Sequence, residues 1–284
     1  SGLVYSVTLS ADGKTAFVTH YADGLDIIDI SDLANPTLTG NFDTSHQAIG
    51  VTLSADGKTA FVADMEDGLD IIDVSDLANP TLTGNYDTSG SARDVILSAD
   101  GQTAFVADWD DGLDIINISD LANPTLTANY DTSGSARDVI LSADGKTAFV
   151  ADWADGLDII DVSDLANPTL TGNLTLDDAI RVTLSADGKT AFVAGHSDGL
   201  AIVDVSDLAN PTLTGTLDTS SSARGVTLSA DGKTAFVADY ADGLQIIDVG
   251  YSQYFSSASD TARIVVDGAI PTVSEVTSST SNGT

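Results

Sequence analysis

Apolar positions along this chain fall in short bursts, with none of the 3.6-residue period that marks a surface helix. Within residues 89–132 the bursts are Ala92–Ser98, Thr103–Ala107, Leu113–Ile118 and Thr125–Tyr130. Turn chemistry separates them: Ala99-Asp100-Gly101, then Asp111-Gly112, then Ser119-Asp120-Leu121-Ala122-Asn123-Pro124. Gly after Asp supplies a positive φ, and Pro keeps the chain extended before the last burst. Ile115 and Ile116 sit side by side, so the third burst predicts a strand covered on both faces. The window predicts four short strands and no helix.

That window repeats. LSADGKTAFV or a close variant starts at Leu9, Leu53, Leu97, Leu141, Leu184 and Leu228, at spacings of 44, 44, 44, 43 and 44. Residues 89–132 and 133–176 differ at only eight of 44 positions, so each window is one copy of a unit. Four strands per unit of this length is the arithmetic of a propeller blade. The fold class is therefore all-β: a six-bladed β-propeller of four-stranded antiparallel blades. The sixth copy loses its SDLANPTLTG segment after Val249, leaving Ala262–Asp267 or an upstream strand to complete its blade. The expected organisation is a propeller over 1–249, a closing segment or outer strand over 250–268, and a linker or the start of a following domain over 269–284.

Composition narrows the function. The formal net charge is −33, and all but two of the 43 acidic side chains (Glu66 and Glu275) are Asp, a turn former. Such a surface excludes nucleic acid as a partner and direct contact with an anionic membrane. The chain has no Cys and three His, which removes thiol nucleophiles and zinc–thiolate sites.

Ala148–Asp152 followed by Gly156–Asp164 and then Pro168 resembles the LVIVD repeat, and Ser142-Ala143-Asp144-Gly145-Lys146 is similar to YVTN-type propeller repeats. The resemblance spans about residues 1–249. It implies a secreted or cell-surface protein of bacteria or archaea. Val266–Val273 is similar to the start of Ig-like or cadherin-like repeats in large bacterial surface proteins. The expectation is an extracellular chain covalently linked to further extracellular domains.

Columns that vary between near-identical copies carry the candidate sites. Three residues before the Gly of each DGL stand Tyr21, Met65, Trp109, Trp153, His196 and Tyr240. Arg93, Arg137 and Arg224 share a column at the start of the first strand, with Arg181 one position later. In a propeller both columns lie on one face. There they bind a ligand, Trp stacking on a glycan and Arg pairing with carboxylate or sulfate, or they seal neighbouring blades, Arg pairing with Asp94 and Asp138. Acidic clusters raise calcium as the cofactor, through Asp64, Glu66, Asp67 and Asp70, and through Asp108, Asp110, Asp111 and Asp114. A further column, Asp29, Asp73, Asp161, Asp204 and Asp248 with Asn117 substituting once, reads as structural, its oxygen accepting backbone N–H groups of the SDLANP turn.

No catalytic constellation stands out. The inner strands offer only Asp94 and Asp138 as acids, and no Ser–His pair is recognisable. The leading expectation is a non-enzymatic binding or adhesin module for a glycan or a surface protein. The alternatives are a metal-dependent, lactonase-like hydrolase and a purely structural spacer.

Overall fold

The computed structural model describes residues 3–195, 199–219, 221–249 and 263–266. Most of the expected closing segment and the whole of 269–284 lie outside the described residues.

Among the described residues twenty-four strands form six four-stranded antiparallel sheets in a propeller arrangement, and no helix occurs. Blade one holds β1 (Val4–Leu9), β2 (Thr15–His20), β3 (Gly24–Asp29) and β4 (Thr37–Phe42). Blade two holds β5 (Gly50–Leu53), β6 (Thr59–Ala63), β7 (Leu69–Asp73) and β8 (Thr81–Tyr86). Blade three is β9 (Asp94–Leu97), β10 (Thr103–Ala107), β11 (Leu113–Asn117) and β12 (Thr125–Tyr130). Blade four is β13 (Ala136–Leu141), β14 (Thr147–Asp152), β15 (Gly156–Asp161) and β16 (Thr169–Leu174). Blade five is β17 (Ala179–Leu184), β18 (Thr190–Gly195), β19 (Gly199–Asp204) and β20 (Thr212–Leu217). Blade six is β21 (Ala223–Leu228), β22 (Thr234–Asp239), β23 (Gly243–Asp248) and β24 (Arg263–Val266), which pairs with β23 as the fourth strand. Strands follow chain order in every sheet, as short hairpins dictate.

The chain divides into two compact units, 1–150 with 160–170 and 151–159 with 171–284. In the first, three apolar clusters join blades one to two, two to three, and three to four. Consecutive isoleucines explain how. A register shift in the β11–β12 ladder falls between Ile115 and Ile116. Ile116 packs with Phe61 and Leu69 of blade two, while Ile115 packs with Val139 and Val150 of blade four. One strand thus feeds two cores, which is why its sequence does not alternate. In the second unit, Phe192, Leu200 and Ile202 of blade five meet Val237, Ile247 and Val249 of blade six.

Turns follow the sequence logic. Gly101 takes φ 67°, and Asp100 Oδ1 accepts bonds from Ser98 Oγ at 2.6 Å and Gln102 N–H at 3.1 Å. The SDLAN turns of blades two, three and five also dock on the blade before. A Cβ added to Gly84 would lie 2.2 Å from the carbonyl oxygen of Leu121, so only glycine allows the close approach there.

Candidate functional site

The turn between the second and third strands of a blade carries the aromatic column and the acidic clusters together. It comes in two forms. In blades two and three the β6–β7 and β10–β11 ladders end at Ala63–Leu69 and Ala107–Leu113. Met65 and Trp109 then take φ 43°, a left-handed conformation that non-glycine residues rarely adopt. This bend carries their backbone to the following blade. Trp109 N–H donates to Ala136 O at 3.0 Å, and Trp109 O accepts the return bond from Ala136 N–H at 2.9 Å. Met65 makes the same two-bond bridge with Ala92. In blade six the ladder runs one pair further, to Asp239–Gly243, and Tyr240 N–H donates to Ser222 O of its own blade.

The bridge places arginine on the aromatic ring. Arg137 follows Ala136, and Arg93 N–H donates to Ala107 O beside the turn, so both guanidinium groups reach Trp109. Each guanidinium carbon lies 4.4 Å from the Trp109 ring centroid, a cation–π distance. Burial pushes the Arg93 guanidinium down from its ordinary value, opposed by Tyr5, Tyr21 and Asp110. Its buried Nε has no hydrogen-bond partner. Tyr21 stacks on Tyr5 at 5.8 Å. In the second unit Arg224 lies 4.9 Å from the ring of Tyr240, which is 75% exposed. Trp153, Arg137 and Arg181 are half-buried, and His196 lies outside the described residues. All five lysines sit elsewhere, in or beside the ADG turns between first and second strands.

The carboxylates form two triads. One oxygen each from Asp64, Asp67 and Asp70 lies within 4.8 Å of the others, and the same holds for Asp108, Asp111 and Asp114. Glu66 and Asp110 stand outside these groups on the exposed side of the turn, with the Glu66 carboxylate 3.4 Å from His46 Nδ1. The buried members already have donors. Asp108 accepts the Thr88 hydroxyl at 2.8 Å and the Gly90 N–H at 2.7 Å, both from the preceding connection. Asp64 accepts from Thr44 and the His46 N–H in the same way, at 2.8 Å each. Asp114 takes an amide N–H of Asn129 at 2.9 Å from the neighbouring strand, as Asp70 does from Asn85 at 3.0 Å. Burial, the largest influence, pushes Asp108 up to about 7 and Asp70 and Asp114 up to about 6. Three hard oxygen donors per group suit calcium or magnesium and leave most of a calcium shell to water or further ligands.

Sequence reasoning missed the Thr–Asp latch and the Asp–Asn pair. A signal was present. Where Leu176 replaces the latch threonine, Gly195 replaces the latch aspartate, and where Ala201 replaces the paired aspartate, Thr216 replaces the asparagine. All four line one cavity of about 160 Å³ in blade five. The Asp29 column behaves as its sequence predicts. Asp29 and Asp73 accept the Ser31 and Ser75 N–H groups at 2.8 Å each, and Asn117 accepts that of Ser119 at 2.9 Å.

The family model of the LVIVD repeat matches six stretches, 4–44, 51–88, 89–132, 133–175, 179–219 and 222–262. No curated protein matches the sequence. Among solved structures, a periplasmic gluconolactonase of Pseudomonas aeruginosa aligns with TM-score 0.77 at 18% identity, over 87% of this chain and 81% of that one. A putative 6-phosphogluconolactonase from Bacteroides uniformis aligns with TM-score 0.74 at 17% identity, over 85% and 80%. A functionally unknown protein of Desulfotomaculum acetoxidans gives 0.74 at 15%, over 88% and 83%. Identities this low carry the fold alone.

Proposed function

We propose that this chain, which belongs to the LVIVD-repeat family, is a non-enzymatic binding module of an extracellular or cell-surface protein. Its ligand is a glycan or a protein surface carrying carboxylate or sulfate groups. The observation that supports this reading is the placement of Arg93 and Arg137 on the ring of Trp109. A chain with net charge −33 has aspartates everywhere to pair its few cations. Here two of them also stack on one aromatic ring, and planar guanidinium forks of this kind recognise carboxylate and sulfate. The adjoining Tyr5–Tyr21 stack offers apolar faces for sugar rings.

Titration calorimetry with a polyuronate oligosaccharide tests the reading, after a glycan array has chosen the probe. Trp109→Ala with Trp153→Ala is expected to abolish binding while leaving the circular dichroism spectrum unchanged. Unchanged affinity in that double variant overturns the site.

The two Asp triads support a second reading, a metal-dependent hydrolase of the lactonase kind. Against it, Thr88, Gly90 and Asn129 already take up part of the acceptor capacity of Asp108 and Asp114. Elemental analysis of protein purified without added metal, with melting curves in EDTA and in millimolar calcium, separates the two. Bound metal and a calcium shift exceeding that of an ionic-strength-matched sodium salt favour the second.

A further inference from the structure

Blade five is hollow where blades two and three hold a buried polar network. In blade three that network is Thr88 with Asp108 and Asp114 with Asn129, joined by hydrogen bonds of 2.8 and 2.9 Å. Blade five has Leu176 with Gly195 and Ala201 with Thr216 at these positions. The strand register is the same in both: Ala201 stands opposite Thr216 as Asp114 stands opposite Asn129. The residues are exchanged in pairs, so no buried donor faces a lost acceptor. They also lose bulk. The four replacements carry about half the side-chain heavy atoms of the four they replace. The space between them measures about 160 Å³, and Ala179, Val193 and Leu213 extend its apolar wall.

A core that had only turned apolar would close up with larger side chains, because packed interiors leave few voids bigger than a water molecule. Gly195 and Ala201 do the reverse. The resulting volume is close to that of an apolar cavity that admits benzene, roughly 150 Å³. Its deep wall carries no charge: Val193 is 1% exposed, Ala201 6% and Ala179 fully buried. Its outer end is polar, since Thr175, Asp177 and Thr216 line it and are exposed. We propose that this cavity binds a small uncharged molecule whose apolar body, about the size of a six-membered ring, rests on Val193 and Ala201. A hydroxyl on that molecule would face the acceptor oxygens of Asp177 and Thr216 at the outer end. The Asp177 carboxylate and the net charge of −33 both select against an anion. The site shares no residue with the arginine–tryptophan cluster, so it goes beyond the reading given above.

Titration of the full chain with cyclohexanol, followed by NMR of alanine, valine and leucine methyl groups, tests this. Saturable shifts are expected at Leu176, Val193 and Ala201, with a dissociation constant of about 1 mM, within the reach of so small a ligand. Cyclohexanecarboxylate, the same ring bearing a negative charge, should bind at least tenfold more weakly. Ala201→Leu should fill the cavity, abolish the shifts and raise the melting temperature. Thr216→Phe alters an exposed outer-strand position, where folding is not at risk, and should weaken binding at least tenfold by covering the outer end. Trp109→Ala should leave cyclohexanol affinity unchanged, which keeps this result apart from any loss of glycan binding. A wild type without saturable shifts, equal affinity in Ala201→Leu, or equal affinity for the carboxylate overturns the proposal.

Discussion

Residues 107–112 and 151–156 read Ala-Asp-Trp-Asp-Asp-Gly and Ala-Asp-Trp-Ala-Asp-Gly, differing only at Asp110 and Ala154. They take different turns. In the first, Trp109 has positive φ and the Asp108 carboxylate faces away from its own turn, toward Thr88 and Gly90. In the second, Asp152 Oδ1 caps its own turn, accepting the Ala154 and Asp155 N–H groups at 3.1 and 3.2 Å. Blade six, with Ala241 at the variable position, repeats the second form through Asp239. Blade two, with Glu66 there, repeats the first. An acidic side chain at this position adds a second anion beside the capping carboxylate, and the cap gives way. An acidic residue at this position goes with an aspartate that serves its neighbouring blade, and an alanine with one that serves its own turn.

The contrast breaks most sharply with pH. Burial holds Asp108 at about 7 when folded, against about 3.9 for an unfolded Asp. The folded state therefore binds more protons between those values, and stability falls as pH rises from about 4 to about 7. Asp70, Asp114 and Asp158, raised to about 6, act in the same sense. Turn carboxylates such as Asp73 and Asp100 are lowered by hydrogen bonds, first of all from Ser75 and Ser98. Their contribution is present above about 4 and is lost in more acidic solution. Melting temperature should peak near pH 4. Asp108→Asn should raise it at pH 8 by about 5 °C, equivalent to about 2 kcal/mol, and flatten the decline between pH 5 and 8. A scanning-calorimetry profile identical to wild type would refute the buried-anion account.

Threonines sharpen the comparison at smaller scale. Thr88 gives its hydroxyl to Asp108, whereas the buried Thr132 hydroxyl has no hydrogen-bond partner. Thr88→Val should cost about 1–2 kcal/mol in urea unfolding, and Thr132→Val should be neutral or stabilising. Equal losses at the two positions would count against the latch. The smallest energetic effect belongs to Asp110→Ala, within about 0.5 kcal/mol as for most surface changes. It should nonetheless move Trp109 out of positive φ and give the Asp108 carboxylate to its own turn, seen in amide and indole NMR shifts. Persistence of the Trp109–Ala136 bridge in that variant would show that some other residue sets the turn.

The strands were legible because turn residues punctuate them: Thr103–Ala107 and Thr125–Tyr130 have the boundaries their pattern predicts. The first and third bursts run long at their ends, since Ala92 forms an isolated bridge and Ile118 turns into a core. The Asp29 column was legible because Asn117 could replace an acceptor but not an anion. The arginine–tryptophan contacts were not, because they depend on a left-handed residue that no local propensity favours at Trp109.

The variable turn position also has a genetic reading. Codons for Asp and Ala differ by one base, so a single substitution in one copy can switch a turn without disturbing the strands that hold it. An array made by duplication begins as identical faces. Such switches let individual copies drift toward different surfaces while the shared scaffold stays fixed.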